Sequence, residues 1–142
     1  MRFIALAVTL VSIGACSSPV TIAGDESRSA PSRAEVGRAF DLRVGQEAAI
    51  GEIGVRIRFD GVRQDSRCPT GVQCVWSGDA EVALHITTVG GSTEVLLHTN
   101  VEPRRANAAG HLISLERLRP YPAEGSSIPA GEYVATLLVT TP

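Results

Sequence analysis

Segments in which apolar and polar residues alternate recur along this chain, and they constrain its fold more than any other feature. The clearest is 55–60, where Val55, Ile57 and Phe59 alternate with charged residues. Because successive side chains of a β-strand point to opposite faces, each such segment predicts a half-buried strand. The other segments are 39–44, 81–87, 93–99, 112–118 and 132–140.

Turn-forming residues separate these segments, and no long stretch after the first fifteen residues has a helical period. Gly90-Gly91 between two strand segments predicts a hairpin, and 101–110 predicts a long polar loop. Short strands with turns between them are typical of antiparallel β-sandwiches. We therefore expect an all-β fold, an antiparallel, immunoglobulin-like sandwich of about seven strands, with a small β-barrel as the alternative.

The N-terminal residues are typical of an export signal. One arginine precedes an apolar run, Phe3–Ala15, that is too short to span a bilayer as a helix. The run ends in Ile13-Gly14-Ala15-Cys16, which resembles the lipobox of bacterial lipoproteins. The resemblance implies cleavage before Cys16 and acylation of that residue, palmitate included. It places the protein in the cell envelope, at the outer membrane if the host is Gram-negative.

These features divide the chain into three parts. Residues 1–15 form the predicted signal peptide, 16–37 the lipidated cysteine and a flexible tether rich in small and polar residues, and 38–142 a single sandwich domain. Without the leader, 12 arginines face 15 acidic residues, a balance of −3. Since no basic excess is available to hold a polyanion, nucleic acid is not expected as a partner.

The most distinctive segment is Cys68–Gly78, between two predicted strands. With Cys16 assigned to lipidation, Cys68 and Cys74 are an even pair in an exported protein, which favours a disulfide. A ring this small restricts the unfolded chain by about 2 kcal/mol, so it shapes a loop more than it holds the domain. Trp76 is expected to close an edge of the core or to lie over the loop.

Residues 65–78, with Arg67-Cys68-Pro69, Gly71-Val72 and Cys74-Val75-Trp76, resemble a group of small uncharacterised bacterial exported proteins and lipoproteins. Those proteins share the signature RCP…GV-C-VW-G, and residues 115–122 and 133–139 are similar to their C-terminal half. The resemblance covers roughly residues 40–140. It implies a fold and a location, and it brings no catalytic residue.

The sequence favours a lipid-anchored, non-catalytic binding or accessory module without a cofactor. Its expected partners are the membrane, through the anchor at Cys16, and an envelope protein or ligand. The residues expected at the contact surface lie in the disulfide segment and in the loop after residue 100; they are Arg67, Pro69, Trp76, Arg104 and Arg105.

Two other functions stay open. His85, His98 and His111 suggest an envelope metal-binding protein, although the spacing of the cysteines does not predict a structural zinc site. The third hypothesis is a hydrolase that uses surface carboxylates. No catalytic motif of a serine hydrolase, zinc protease or P-loop enzyme is present, so we expect no enzymatic activity.

Overall fold

The computed structural model describes residues 31–142. The predicted signal peptide, Cys16 and most of the predicted tether lie outside these residues. The described part consists of β-strands and one short 3₁₀ turn at Ala130–Glu132. Within this part no helix is long and apolar enough to cross a membrane.

Residues 31–142 form nine strands in two sheets. The strands are β1 (Ser32–Ala34), β2 (Phe40–Arg43), β3 (Glu47–Ile50), β4 (Val55–Asp65), β5 (Ala80–Thr88), β6 (Gly91–His98), β7 (Arg105–Ala108), β8 (His111–Arg119) and β9 (Val134–Thr140). The larger sheet has the order β1-β3-β4-β5-β6 and the smaller β2-β9-β8-β7. Among the strand pairs of the described residues, β1 and β3 alone are parallel, and an isolated parallel bridge joins Thr70 to Ala123. The predicted β-sandwich is confirmed, and within residues 31–142 the sheets do not close into a barrel.

One hydrophobic core lies between the sheets. The larger sheet supplies Val55, Ile57 and Phe59, which are fully buried as their alternation predicts. Leu137 and Val139 of β9 belong to the same buried cluster. Burial of large aliphatic side chains stabilises a fold by about 1.5–3 kcal/mol each, so this cluster holds the two sheets together.

Three short strands depart from the predictions. β1 lies inside the predicted tether, so the folded body begins before residue 38, and β7 lies inside the predicted 101–110 loop. β3 was not expected as a strand. Strands of three or four residues, such as the alanine-rich β3 and β7, are too short to show a period of two. They form because a neighbouring strand leaves an edge with which their backbone can pair.

The sandwich has two ends with different connections. At one, which we call the apical end, residues 66–79 join β4 to β5, 99–104 join β6 to β7, and 120–133 join β8 to β9. At the other, the basal end, tight turns join β3 to β4, β5 to β6 and β7 to β8. The predicted hairpin at Gly90-Gly91 is confirmed there, with Thr88 opposite Gly91. The distinctive sequence segment is therefore part of the apical end.

Candidate functional site

The disulfide loop, Cys68–Gly78, is a narrow extension of the β4–β5 hairpin. The Ser66 N–H donates to the Asp79 carbonyl at 2.7 Å and the Cys68 N–H to the Ser77 carbonyl at 2.8 Å. Beyond these bonds Cys68 and Cys74 form a disulfide with their Cα atoms 6.0 Å apart, which confirms the predicted bridge. Pro69 accepts the Val72 N–H and so forms the turn inside the ring. The loop is therefore a ring closed by the disulfide, and residues 66–68 and 77–79, which pair beneath it, form what we call its neck.

Gly78 is required where this neck returns to the sheet. It is buried and has a φ of +66°. A Cβ there would lie 1.8 Å from the Ser66 carbonyl oxygen, so the two backbone segments approach each other more closely than any side chain allows. The glycine lets the loop fold against β4.

Arg67 anchors the loop from beneath. Its side chain is 2% exposed, and its guanidinium donates from Nε and Nη2 to the two carboxylate oxygens of Asp65, at 2.9 and 2.6 Å. Nη1 donates to the Leu118 carbonyl at 2.8 Å, and Nη2 also donates to the Pro120 carbonyl at 2.9 Å. The planar fork of arginine suits such multiple bonding. The prediction that Arg67 belongs to the contact surface is wrong, because its donors are all directed into the protein.

The carboxylate that receives Arg67 is itself held by a tyrosine. Tyr133 Oη donates to Asp65 Oδ2 at 3.0 Å. Burial by itself would raise the pKa of Asp65, but the hydrogen bonds and charge of Arg67, with the bond from Tyr133, outweigh it and lower that pKa. Burial and then the neighbouring Asp65 raise the pKa of Tyr133. Asp65 thus stays ionised and links both sheets to the loop.

A second carboxylate fixes the other side of the loop. Asp79 Oδ1 accepts the Asn100 N–H at 2.8 Å and the Thr99 hydroxyl at 3.0 Å, and Oδ2 lies 2.6 Å from His98 Nδ1. Asn100 Nδ2 donates to the Gly78 carbonyl at 2.6 Å. Burial would raise the pKa of Asp79, but these bonds, that of the Asn100 N–H first, lower it. The β6–β7 connection is in this way attached to the disulfide loop.

The β8–β9 connection supports the loop from the third side. The Thr70 N–H donates to the Pro122 carbonyl at 2.9 Å, and the Glu124 N–H donates to the Thr70 carbonyl at 3.2 Å. The Tyr121 ring lies over the Arg67 guanidinium, 5.0 Å from centroid to Cζ. Such stacking of a cation on an aromatic face is attractive. All three apical connections therefore meet at the loop.

Large apolar side chains project from this rigid support. Val75 is 104% exposed and Trp76 79% exposed, so the expectation that Trp76 closes an edge of the core is wrong. Tyr121 is half exposed and lies against Arg67. We define the apical patch by the exposed apolar residues of this end: Val72, Val75, Trp76, Val101 and Tyr121.

Arg104 and Arg105 lie beside this end but do not form a free cationic patch. Arg104 ends the β6–β7 connection, and Arg105 begins β7. Both line a cleft of about 250 Å³ together with Glu102 and Glu116. Because two acidic and two basic residues line it, the formal charges of this cleft balance. Pro69, which shapes the turn, is only partly exposed.

The structure does not bring the three histidines together. His85 is opposite Glu94 and His98 opposite Glu81 on the outer face of β5 and β6, whereas His111 begins β8 in the other sheet. Among residues 31–142, no group of three or more His, Cys, Asp or Glu side chains is placed to hold a metal ion. The metal-binding hypothesis stays a prediction without a supporting arrangement in the described part.

The carboxylates engaged at the loop do not favour general acid chemistry. A general acid near neutral pH needs a raised pKa, whereas the pKa values of Asp65 and Asp79 are lowered by structural hydrogen bonds. The pKa of Asp41 is also lowered, first by the Thr136 hydroxyl and then, against its burial, by Arg119. The hydrolase hypothesis stays a prediction that no geometry here favours.

Sequence reasoning missed the residues that position the site. Asp65, Asp79, Asn100 and Tyr133 were not singled out for a role. The spacing of Asp65 and Arg67, two residues apart at the end of a strand, is compatible with the ion pair but does not require it. Asn100 reaches Gly78 only because β5 and β6 pair, and Tyr133 reaches Asp65 only because the two sheets pack.

The chain matches no protein-family model, no curated protein and no solved structure. Inferences about its function therefore depend on its own residues and their arrangement.

Proposed function

We propose that this chain is a lipid-anchored protein of the bacterial cell envelope, whose sandwich is a non-catalytic binding or accessory module. The apical patch is its contact surface. One observation carries the proposal: of the eight large hydrophobic residues exposed in the described part, five belong to this patch and three of them to one loop. Grouped exposed apolar residues mark interaction sites, whereas isolated ones are ordinary.

The construction of the loop supports a binding role. Its disulfide, the buried Arg67 and the bonds of Asp79 all restrict the loop before any partner arrives. A surface ordered in advance loses less conformational entropy on binding. A loop that served stability alone would not need to hold Val75 and Trp76 in water.

The position of the first strand is compatible with an anchor at Cys16. Ser32 pairs with Ala48, which is opposite Ile57. Along β4, Ile57 and Asp65 are eight residues apart, which corresponds to roughly 25 Å. Ser32 therefore joins the sheet well away from the disulfide loop, as an anchor that leaves this loop uncovered requires.

The binding role is tested by quantitative co-purification from detergent-solubilised membranes of the native host. The full-length protein is compared with a double variant, Val75→Ser with Trp76→Ser, and with Val89→Ser as a control. Val89 is as exposed as Val75 but lies in the basal hairpin. We expect the apical variant to lose at least one partner that the wild type and Val89→Ser retain. Identical partner profiles for all three would contradict the proposal.

The anchor is tested by the intact mass of the protein extracted from those membranes. We expect a chain that begins at Cys16 and carries acyl groups. A chain that lacks acyl mass would contradict the anchor, and it would leave the apical contact surface to be judged by the first experiment.

A further inference from the structure

The disulfide loop is convex and carries no charge. None of its eleven residues, Cys68–Gly78, has an ionisable side chain other than the two bridged cysteines. Val75 and Trp76 project almost completely into solvent at its tip. Because these two side chains project from the tip, a partner that covers them must supply the concave side of the contact.

We infer that the disulfide loop inserts into a concave, uncharged, apolar groove of a protein partner. This inference rests on the proposed function and names the kind of partner. An apolar groove fits because insertion desolvates no charged group of the loop. Trp76 is the expected anchor residue, since tryptophan buried at the centre of an interface often dominates its affinity.

The surroundings of the loop favour a protein over a lipid surface. Loops that enter a bilayer interface are aided by lysine or arginine beside the apolar tip. Here the arginine at the neck, Arg67, is buried in its ion pair. The charged neighbour of the turn is Glu124, whose Oε2 lies 3.4 Å from the Cβ position of Gly71. An acidic neighbour opposes approach to an anionic membrane.

The inference is tested by photo-crosslinking in the native host. A benzoylphenylalanine residue replaces Val75 in the full-length protein, and a control protein carries it in place of Val89. We expect an adduct with one protein from position 75 and not from position 89. The crosslinked residues of that partner should border an apolar groove.

The outcomes separate the inference from the proposed function. Adducts from position 75 with lipid or with a second copy of this chain would contradict the inference that the loop enters a groove of a protein partner. They would still agree with the proposal that the apical patch is a contact surface. Adducts that are the same from both positions, or absent from position 75, would overturn both. Adducts with a partner whose contact site is convex or charged would also overturn the groove.

The single tryptophan provides a second, independent measurement. The emission of Trp76 in the purified protein should shift to shorter wavelength when the identified partner is added. It should not shift with vesicles of phosphatidylethanolamine and phosphatidylglycerol. Trp76→Ala should weaken binding to the partner at least tenfold, whereas Val89→Ala should change it less than twofold. A shift with the vesicles alone would overturn the inference.

Discussion

A buried arginine is tolerated when its charge is paired and its guanidinium nitrogens are hydrogen-bonded, and in Arg67 each of the three nitrogens donates at least one bond. Its donors bond to the carboxylate of Asp65 and to the carbonyls of Leu118 and Pro120, and the Tyr121 ring covers one face. Removal of one member of such a pair leaves an uncompensated buried charge. At the scale of single residues, this ion pair connects the loop to both sheets.

Replacement of Arg67 by methionine should therefore destabilise the protein strongly. Because Asp65 would lose its partner inside the protein, we expect the free energy of unfolding to fall by about 3–5 kcal/mol in urea titrations. Arg119→Met is the matched control, since Arg119 pairs with Asp41 at the exposed surface, where ion pairs contribute about 0–1 kcal/mol. Equal losses in the two variants would contradict the role assigned to Arg67.

The lowered pKa values of Asp65 and Asp79 predict that the folded protein loses stability at low pH. The pKa of each is lower in the folded protein than its ordinary value of 3.8. The stability that each contributes is fully present above that ordinary value and is lost as the pH falls through the folded-state pKa. Urea unfolding from about pH 6 to about pH 2 should show this decline. In Asp79→Asn the decline should be shallower, and an unchanged slope would contradict the assignment.

At the scale of elements, the apical end depends on the close approach of the backbone at Gly78 to the backbone at Ser66, just after β4. Gly78 allows this approach, because the Ser66 carbonyl occupies the space where a Cβ would lie. The disulfide closes the ring beyond it. The two devices act on different parts of the same hairpin, so their effects can be separated by mutation.

Gly78→Ala should be far more disruptive than an alanine at another glycine with positive φ. Gly45 is the control, since its φ is +82° and nothing lies within 4 Å of its Cβ position. We expect Gly45→Ala to lower the free energy of unfolding by about 1–2 kcal/mol, from backbone strain alone. Gly78→Ala should exceed about 4 kcal/mol because backbone must also move. Similar values would show that the neck adapts easily.

Removal of the disulfide should loosen the loop and leave the sandwich folded. In the double variant Cys68→Ser with Cys74→Ser, we expect a loss of about 2 kcal/mol in unfolding free energy. Amide hydrogen exchange should accelerate in residues 68–78 and stay unchanged in β8 and β9. Unchanged exchange in the loop would mean that Arg67 and Asp79 hold its conformation without the bridge.

The predictability of the fold differs between long and short elements. The alternation of Val55, Ile57 and Phe59 was sufficient to predict the first half of β4, whereas register shifts after Phe59 and after Val62 break the period of two in the rest of the strand. In β8 a bulge between Leu115 and Arg117 breaks the period, and Leu118 is buried three residues after Leu115. Such a shift comes from pairing with β9, which the segment itself does not encode.

The candidate site was predictable in place and only partly in detail. The cysteine pair indicated the disulfide loop, and Trp76 was expected near it. The burial of Arg67 was not predicted, and the sequence left open whether Trp76 closes a core edge or lies at the surface, because both outcomes depend on contacts between segments far apart in sequence. Arg67, for example, donates hydrogen bonds to the carbonyl groups of Leu118 and Pro120, which lie more than fifty residues further along the chain.

At the scale of the whole molecule, the two ends of the sandwich differ in construction and in the role proposed for them. The basal end consists of tight turns, and the apical end holds the exposed patch on a braced loop. With the proposed anchor at Cys16, the protein would present the apical patch to the envelope. The central claim is that Trp76 is covered in the native envelope and uncovered in the isolated protein.

Hydroxyl-radical footprinting of Trp76 tests this claim most directly. Trypsin releases Trp76 and the basal Val89 on one peptide, 68–104, because no arginine lies between Arg67 and Arg104 and the chain has no lysine. We expect Trp76 oxidation in intact envelopes to fall at least fivefold below that of the purified protein, while oxidation at Val89 is unchanged. Equal oxidation of Trp76 in both preparations would contradict the claim that the apical patch is a binding surface.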